Sequence, residues 1–567
     1  MSRPSLFKGT LREPRRFFST NSYRDAADIE KEGELRRQIL ADHLLNIIRT
    51  CANTAKGSQA ANPVWIKDTA LPALVAYAYV AEPRCQPPVS EKTRELYRNR
   101  LMSTFGHLLS DLEGYRFPCD ILLSISPDAV NMDDGISEAR EGALATMKKI
   151  LKKIKKEEGQ AKPPLQALAL LYSLVIFQLY NGESEAVSII DELKLCYDKL
   201  IRHKDTDDSD TDASEILVEL LLSFISKPSA LLRKVSQHAF SAFMSDMTAG
   251  GLKLMTDILH SDESLRGQQE LFDQEPENFD EMDEGGEDDE MDSDVEITDM
   301  NGDEGHLNGH LDEDEESGAD ENGDKDEEED EEEEEDDDDE EAKKLDDALA
   351  QALGTHRLDK DADADSDSDA DMTDSEMMAL DSKLVEIFSQ RKKEPNKKQE
   401  QKDAKETMVN FKNRVLDLLT IFAKKQASNP LAFGLILPIL QLIRTTKTKA
   451  LADKAHGIIT SFAKALKSMK QEDNAVIKTS NQIKLLKAIH IEASKDPSHA
   501  FARAASTSSL LVASGLVRGD KNTMKKIAKV YHETQDAWME GEMEKMQIVF
   551  FSDFLNWCQS HAKSAQA

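Results

Sequence analysis

The chain runs to 567 residues and carries 109 acidic against 71 basic side chains, a formal charge of −38 at neutral pH. That length is enough for several cores or one long repeat array, and the charge lies in blocks, a pattern that speaks to partners and solubility rather than to fold. Five cysteines with no CxxC pair and no His at zinc spacing argue against a disulfide scaffold or zinc module and fit a reducing intracellular compartment.

The first residues, with Arg12, Arg15, Arg16 and Arg24 against the single acid Glu13, share the composition of a mitochondrial presequence. A disordered N-terminus over 1–29 is the plainer reading. Helical periodicity dominates from there. Lys148, Lys149, Lys152, Lys153, Lys155 and Lys156 fall on one helix whose apolar side is Ile150, Leu151 and Ile154. Such a cluster serves as a solvated face, a localisation signal or a set of phosphate contacts. The apolar run Leu165–Tyr180 is interrupted by Gln166, Ser173 and Gln178. It falls short of a membrane span and reads as a buried helix.

Asp205, Thr206, Asp207, Asp208 and Ser209 superficially match a polymerase metal motif. Two-metal catalysis needs such carboxylates on a rigid hairpin with further acids converging on them. No flanking β-branched strand is present, so an acidic turn is expected. Asp212 is placed to cap a helix whose Ile216, Leu220, Leu221 and Phe224 share a face, with Glu215 three residues after the cap. Pro228 is expected to open the next helix, carrying Leu231, Leu232, Val235, Ala239 and Phe243.

Between Asp273 and Glu341 stand 41 acidic residues and one basic residue, Lys325. No folded core absorbs that many like charges, because each would lose far more solvation than apolar burial returns. The region is expected to be a solvated polyanion that binds basic proteins or spaces the parts around it. It lacks the Gly-turned loop of a calcium site. Ser293, Ser366 and Ser368 lie among acids and are candidate kinase substrates. Beyond it, Arg391, Lys392, Lys393, Lys397 and Lys398 form a basic linker suited to nuclear import.

Residues 381–567 carry 31 basic against 19 acidic side chains. Phe411, Val415, Leu418, Leu419 and Phe422 make one helical stripe; Leu451, Ala455, Ile458, Ile459, Phe462 and Leu466 make another. Asn429-Pro430 predicts a capped helix over Leu431–Ile443. Arg444, Lys447, Lys449, Lys464, Lys467 and Lys470 are candidates for a basic ridge that would hold nucleic-acid backbone without reading sequence. The isolated His43, His107, His238 and His456 and the tryptophans Trp65, Trp538 and Trp557 read as packing or surface residues. No catalytic, metal or cofactor constellation is found, and no small-molecule or membrane partner is implied.

The predicted fold is all-α: a degenerate HEAT- or armadillo-like helical solenoid interrupted by a long disordered acidic segment. Its expected parts are 1–29, a helical array over 30–270, the acidic tract over 271–375, and a basic helical array over 376–560.

Several stretches carry a family resemblance. LLSFISKPSALLRKV (Leu221–Val235), GQQELFD (Gly267–Asp273), the acidic tract, FKNRVLDLL (Phe411–Leu419) and LIRTTK (Leu442–Lys447) occur in that order. Together they resemble the Myb-binding protein / DNA polymerase phi family, over roughly residues 90–560. The resemblance implies a nucleolar, DNA-binding helical scaffold tied to rRNA gene transcription and ribosome assembly, with rDNA, rRNA and basic nuclear proteins as partners. It also implies that an N-terminal half present in longer members is missing from this chain. A histone or ribosomal-protein chaperone acting through the acidic tract is the alternative. A template-directed DNA polymerase rests on the family name alone.

Overall fold

The computed structural model describes residues 26–54, 63–80, 87–126, 129–130, 132–201, 212–272, 401–469 and 479–566. The acidic run, the Asp205–Ser209 string and the basic linker at 391–398 lie outside these residues. All regular structure among the described residues is helical, with no β-strand, so the chain is all-α. One compact unit takes in 1–262 together with 408–567, and a second takes in 263–407. In the second, Ser264 Oγ accepts the Gly267 N–H at the start of the helix Leu265–Phe272.

In the first unit the helices are α1 (Ala26–Thr54), α2 (Leu71–Tyr79), α3 (Glu91–Leu108), α4 (Arg116–Leu122), α5 (Asp134–Ile154), α6 (Lys162–Asn181), α7 (Ala186–Cys196), α8 (Ala213–Ser226), α9 (Ala230–Phe243) and α10 (Ala249–His260). After α11 (Leu265–Phe272) the chain returns as α12 (401–425), whose residues from Met408 on belong to this unit. It continues as α13 (Ile436–Thr445), α14 (Lys449–Ser468), α15 (Thr479–Ala493), α16 (His499–Gly519), α17 (Met524–Met539) and α18 (Ile548–Gln566).

α6 is the hub of the N-terminal helices. Pro163 and Pro164 stand at its start, where a missing N–H costs nothing, and Gly182 ends it in the left-handed region at φ 92°. Between these punctuation marks Leu165–Phe177 is wholly buried, as are Leu179 and Tyr180. Each large apolar side chain covered in this way contributes about 1.5–3 kcal/mol. Phe105 meets Phe177 at 5.5 Å and Tyr79 meets Tyr180 at 5.8 Å, edge on. By length and apolarity α6 and α16 could each cross a membrane, but neighbouring helices bury most of both. The polar interruptions Gln166 and Ser173 are buried inside the array, where Ser173 Oγ donates back to Leu170 O.

The predicted stripes become core faces. Ile216, Leu220, Leu221 and Phe224 are buried, and Asp212 caps α8 by accepting the Ser214 N–H at 3.0 Å. The same holds for all five apolar residues named on α12 and all six on α14. Two boundaries differ from expectation. Ser229 rather than Pro228 begins α9, accepting the Leu232 N–H at 3.3 Å, because a hydroxyl satisfies an orphan helix donor and proline cannot. Asn429 does cap at Leu431, but Pro430–Leu435 winds as a tighter 3₁₀ turn and α13 starts only at Ile436.

The two stretches of this unit, far apart in sequence, are joined through α12. The Arg414 guanidinium donates to the carbonyls of Ile225, Ser226 and Lys227 at 2.8, 3.2 and 3.0 Å, closing the C-terminus of α8. One turn on, Asp417 takes Arg233 of α9 at 2.6 Å and Lys454 of α14 at 2.6 Å. Lys425 donates to Ser241 Oγ at 2.7 Å, and Phe240 packs on Phe422 with ring centres 6.4 Å apart. Asp417 thus ties α9, α12 and α14 with one half-buried carboxylate. Asp417→Asn leaves two cations short of their counter-charge, and we expect a loss of about 1–3 kcal/mol in unfolding free energy. Denaturant titration reads this directly, and an unchanged midpoint would contradict the role given to Asp417.

Candidate nucleic-acid interface

The basic residues proposed for a ridge divide into distinct environments. Arg444, in the last turn of α13, donates from Nε to Glu492 Oε1 at 2.6 Å, and Lys495 reaches the other oxygen at 2.7 Å. The Glu492 side chain is only 2% exposed. Burial by itself would raise its pKa, but the hydrogen bonds from Lys495 and Arg444 outweigh that and hold the carboxyl below the ordinary range. Arg444 is therefore engaged in holding α13 to α15.

Lys447 and Lys449 are exposed in the turn that leads into α14 and at its first position. Lys464 and Lys467 are exposed near its other end. None of the four makes an ion pair with a described residue. At 100° per residue Lys449, Lys464 and Lys467 face away from the buried stripe, and Asp453 shares that outward face. Lys449 to Lys467 covers about 27 Å of helix. Lys449 sits where a helix carries partial positive charge, and no acid occupies that first turn. The N-terminal end of α14 therefore attracts anions. Lys470 lies outside the described residues, as do Arg391, Lys392, Lys393, Lys397 and Lys398.

The helix under these lysines is firmly seated. The Arg518 guanidinium of α16 donates to the carbonyls of Leu466 and Met469 at the end of α14. Among α15, α16 and α17 lies a buried polar group that sequence reasoning passed over. His490 of α15 meets Thr534 Oγ1 at 2.7 Å and Ser509 Oγ at 3.0 Å, and Ser509 also bonds the Tyr531 hydroxyl at 2.5 Å. The imidazole packs edge-on against Tyr531 and Phe550. Neither Glu492 nor His490 carries a signal in sequence, since both follow an ordinary helical pattern and the partners that tie them to other helices, Arg444, Ser509 and Thr534, lie 19 to 48 residues away.

The other candidates are structural. Trp538 packs on Phe551, and Trp557 stacks on Phe554 while its indole N–H donates to Ser514. His43 is exposed, and His107, His238 and His456 are half-buried. Burial depresses the His238 pKa. No cluster of three metal-ligating side chains occurs among the described residues.

Such a surface is suited to holding a polyanion by charge. The sequence places the chain in a family: it belongs to the DNA polymerase phi family, whose model matches residues 6–423. It is 30% identical to the rDNA transcriptional regulator pol5 of Schizosaccharomyces pombe, over 94% of this chain and 54% of that relative. The rDNA transcriptional regulator POL5 of Saccharomyces cerevisiae is 26% identical over 83% of this chain and 48% of its own length. Human Myb-binding protein 1A is 28% identical over 61% of this chain and 25% of its own length. The chain spans about half the length of the two yeast relatives. Those relatives are named as regulators rather than polymerases. No solved structure matches.

Burial pushes the His490 pKa down from 6.5 to about 3. Between those values the unfolded chain binds a proton that the folded chain refuses, so stability is full above pH 6.5 and falls as pH drops toward 3. The slope is up to about 1.4 kcal/mol per pH unit. We expect His490→Gln to flatten the stability profile between pH 6.5 and 5, where carboxylates contribute least. Parallel profiles for the two proteins would contradict this.

Proposed function

We propose that this chain is a nuclear, non-enzymatic regulator of rDNA transcription that works as a nucleolar scaffold in ribosome biogenesis. It binds rDNA and rRNA through basic helical surfaces and basic nuclear proteins through the acidic tract. The names of the two yeast relatives support the transcriptional role. The observation that carries the nucleic-acid reading is the set of exposed lysines at 447, 449, 464 and 467, which have no acidic partner among the described residues, on and just before a helix held by Lys454 to Asp417 and by Arg518 at its C-terminal end. A lysine already paired inside the fold adds little to backbone binding, whereas an unpaired one releases a counterion from each phosphate it meets. The linker at Arg391, Lys392, Lys393, Lys397 and Lys398 is the import signal in this reading.

The 41 acids between 273 and 341 favour a second reading, a chaperone for histones or ribosomal proteins whose activity lies in that tract. The same tract is tethered to the lysines of α14 and competes with nucleic acid for them at high effective concentration.

In the full chain, Lys449→Gln/Lys464→Gln/Lys467→Gln should weaken binding to duplex DNA and lower the slope of log K against log salt by up to about 2.7, one increment of about 0.9 for each phosphate contact. Fluorescence anisotropy across a salt series reads both. Deletion of 273–341 should tighten DNA binding at low salt. Unchanged DNA binding in the lysine variant, with histone binding lost on the deletion, would favour the chaperone.

A further inference from the structure

A second basic surface lies among the N-terminal helices. Lys148, Lys152 and Lys155 sit at i, i+4 and i+7, so they form one stripe along the last turns of α5 and just beyond it. They line a cleft of about 1010 Å³. Lys67 from the π-helical turn Ile66–Ala70, Arg116 from the start of α4 and Lys162 from the start of α6 line the same cleft.

The cations of the cleft are unequal. Lys67 is paired with Asp120 at 2.5 Å, and Glu113 holds both Lys162 at 2.8 Å and Arg116 at 3.1 Å. Hydrogen bonds from Lys162 and Gln166 hold the Glu113 carboxyl below its usual range. Arg116 and Lys162 each occupy the first position of a helix, where the helix dipole disfavours a cation. Helix stability therefore does not account for their placement. Lys148, Lys152 and Lys155 are exposed and pair with no described acid. The lining holds six basic side chains against Asp120, Glu157 and Glu158, which leaves it net positive.

Leu123, Leu151 and Ile154 form an apolar wall beside these cations, and Leu123 is 40% exposed. A bare inorganic anion gains nothing from that wall. A nucleotide strand uses both features, with phosphates toward the lysines and base faces toward the leucines. The apolar wall separates the strand states. A double helix keeps its bases paired and stacked inside, so it could meet the lysines but would leave the leucines unused, whereas an unpaired strand has base faces free to lie on them.

We propose that this cleft binds single-stranded nucleic acid through its phosphate backbone, with little sequence preference. The inference rests on the nucleic-acid reading above and adds a separate surface and a strand state. In this arrangement α14 meets duplex and the α5 cleft holds an unpaired strand, the two forms that coexist wherever a duplex is opened.

The test uses the full chain and a fluorescein-labelled mixed-sequence single strand, with anisotropy recorded across salt. Lys148→Gln/Lys152→Gln removes two charges from the cleft. Lys149→Gln/Lys156→Gln removes two exposed charges that do not line it. The cleft pair should lose about tenfold in single-strand affinity at low salt and lower the salt slope by about 1.4, at about 0.7 per phosphate. The control pair and the duplex affinity should stay within about twofold. All substituted side chains are exposed, and thermal melting verifies folding. Equal losses in the two pairs, or an equal loss for duplex, would overturn the proposal. So would inositol hexakisphosphate binding, read by calorimetry, that the cleft pair abolishes while strand binding persists. Loss of binding only in the α14 variant would overturn the cleft and leave the duplex reading standing.

Discussion

The structure depends on α12 docking between two helices that precede the acidic insert. Arg414 closes the open carbonyl end of α8, and Asp417 gathers Arg233 and Lys454. The contacts to α8 and α9 bridge 184 to 189 residues of sequence. Closing so long a loop is less demanding than it sounds, since each doubling of loop length costs only about 0.6 kcal/mol. A handful of charge-assisted bonds over a packed Phe240–Phe422 contact is of the right size to hold it. The insert can therefore vary in length and charge without changing the fold on either side.

That arrangement also explains how the chain keeps extreme charge from disrupting its core. Cations needed for architecture are satisfied locally: Arg414 by hydrogen bonds to carbonyls, Arg233 by Asp417 and Arg444 by Glu492. Cations left over collect on outward faces, at α14 and along the end of α5. Screening at physiological salt reaches only about 8 Å, so each lysine group acts on what lies close to it. Two basic surfaces on one unit would make the proposed binding multivalent.

Much of the fold was legible in sequence because burial imposes a 3.6-residue period. The stripes on α8, α12 and α14 and the Asp212 cap could all be read from spacing. Of the stretches that carry the family resemblance, Leu221–Val235 and Phe411–Leu419 form and flank the α12 junction. What could not be read were relations with no local trace. At Pro228 the boundary is set one residue later by the Ser229 hydroxyl that reaches the orphan N–H, and after Pro430 the Asn429 cap is present as expected but the first turns wind as 3₁₀ before α13 begins. The engagement of Arg444 by Glu492 was invisible, so the ridge looked one residue richer than it is. The cleft at α5 was half visible: its lysine stripe has a helical period, but Lys67, Arg116 and Lys162 come from separate elements.

The claim on which the rest stands is that the helices before and after the acidic insert fold as one unit. Native-state hydrogen exchange on the full chain, followed across denaturant, tests it most directly. The account predicts that core amides of α8 and α9 lose protection at the same denaturant concentration as those of α12 and α14. Protection of α12–α14 that persists after α8 and α9 have opened would contradict it, and would make the two stretches separate domains.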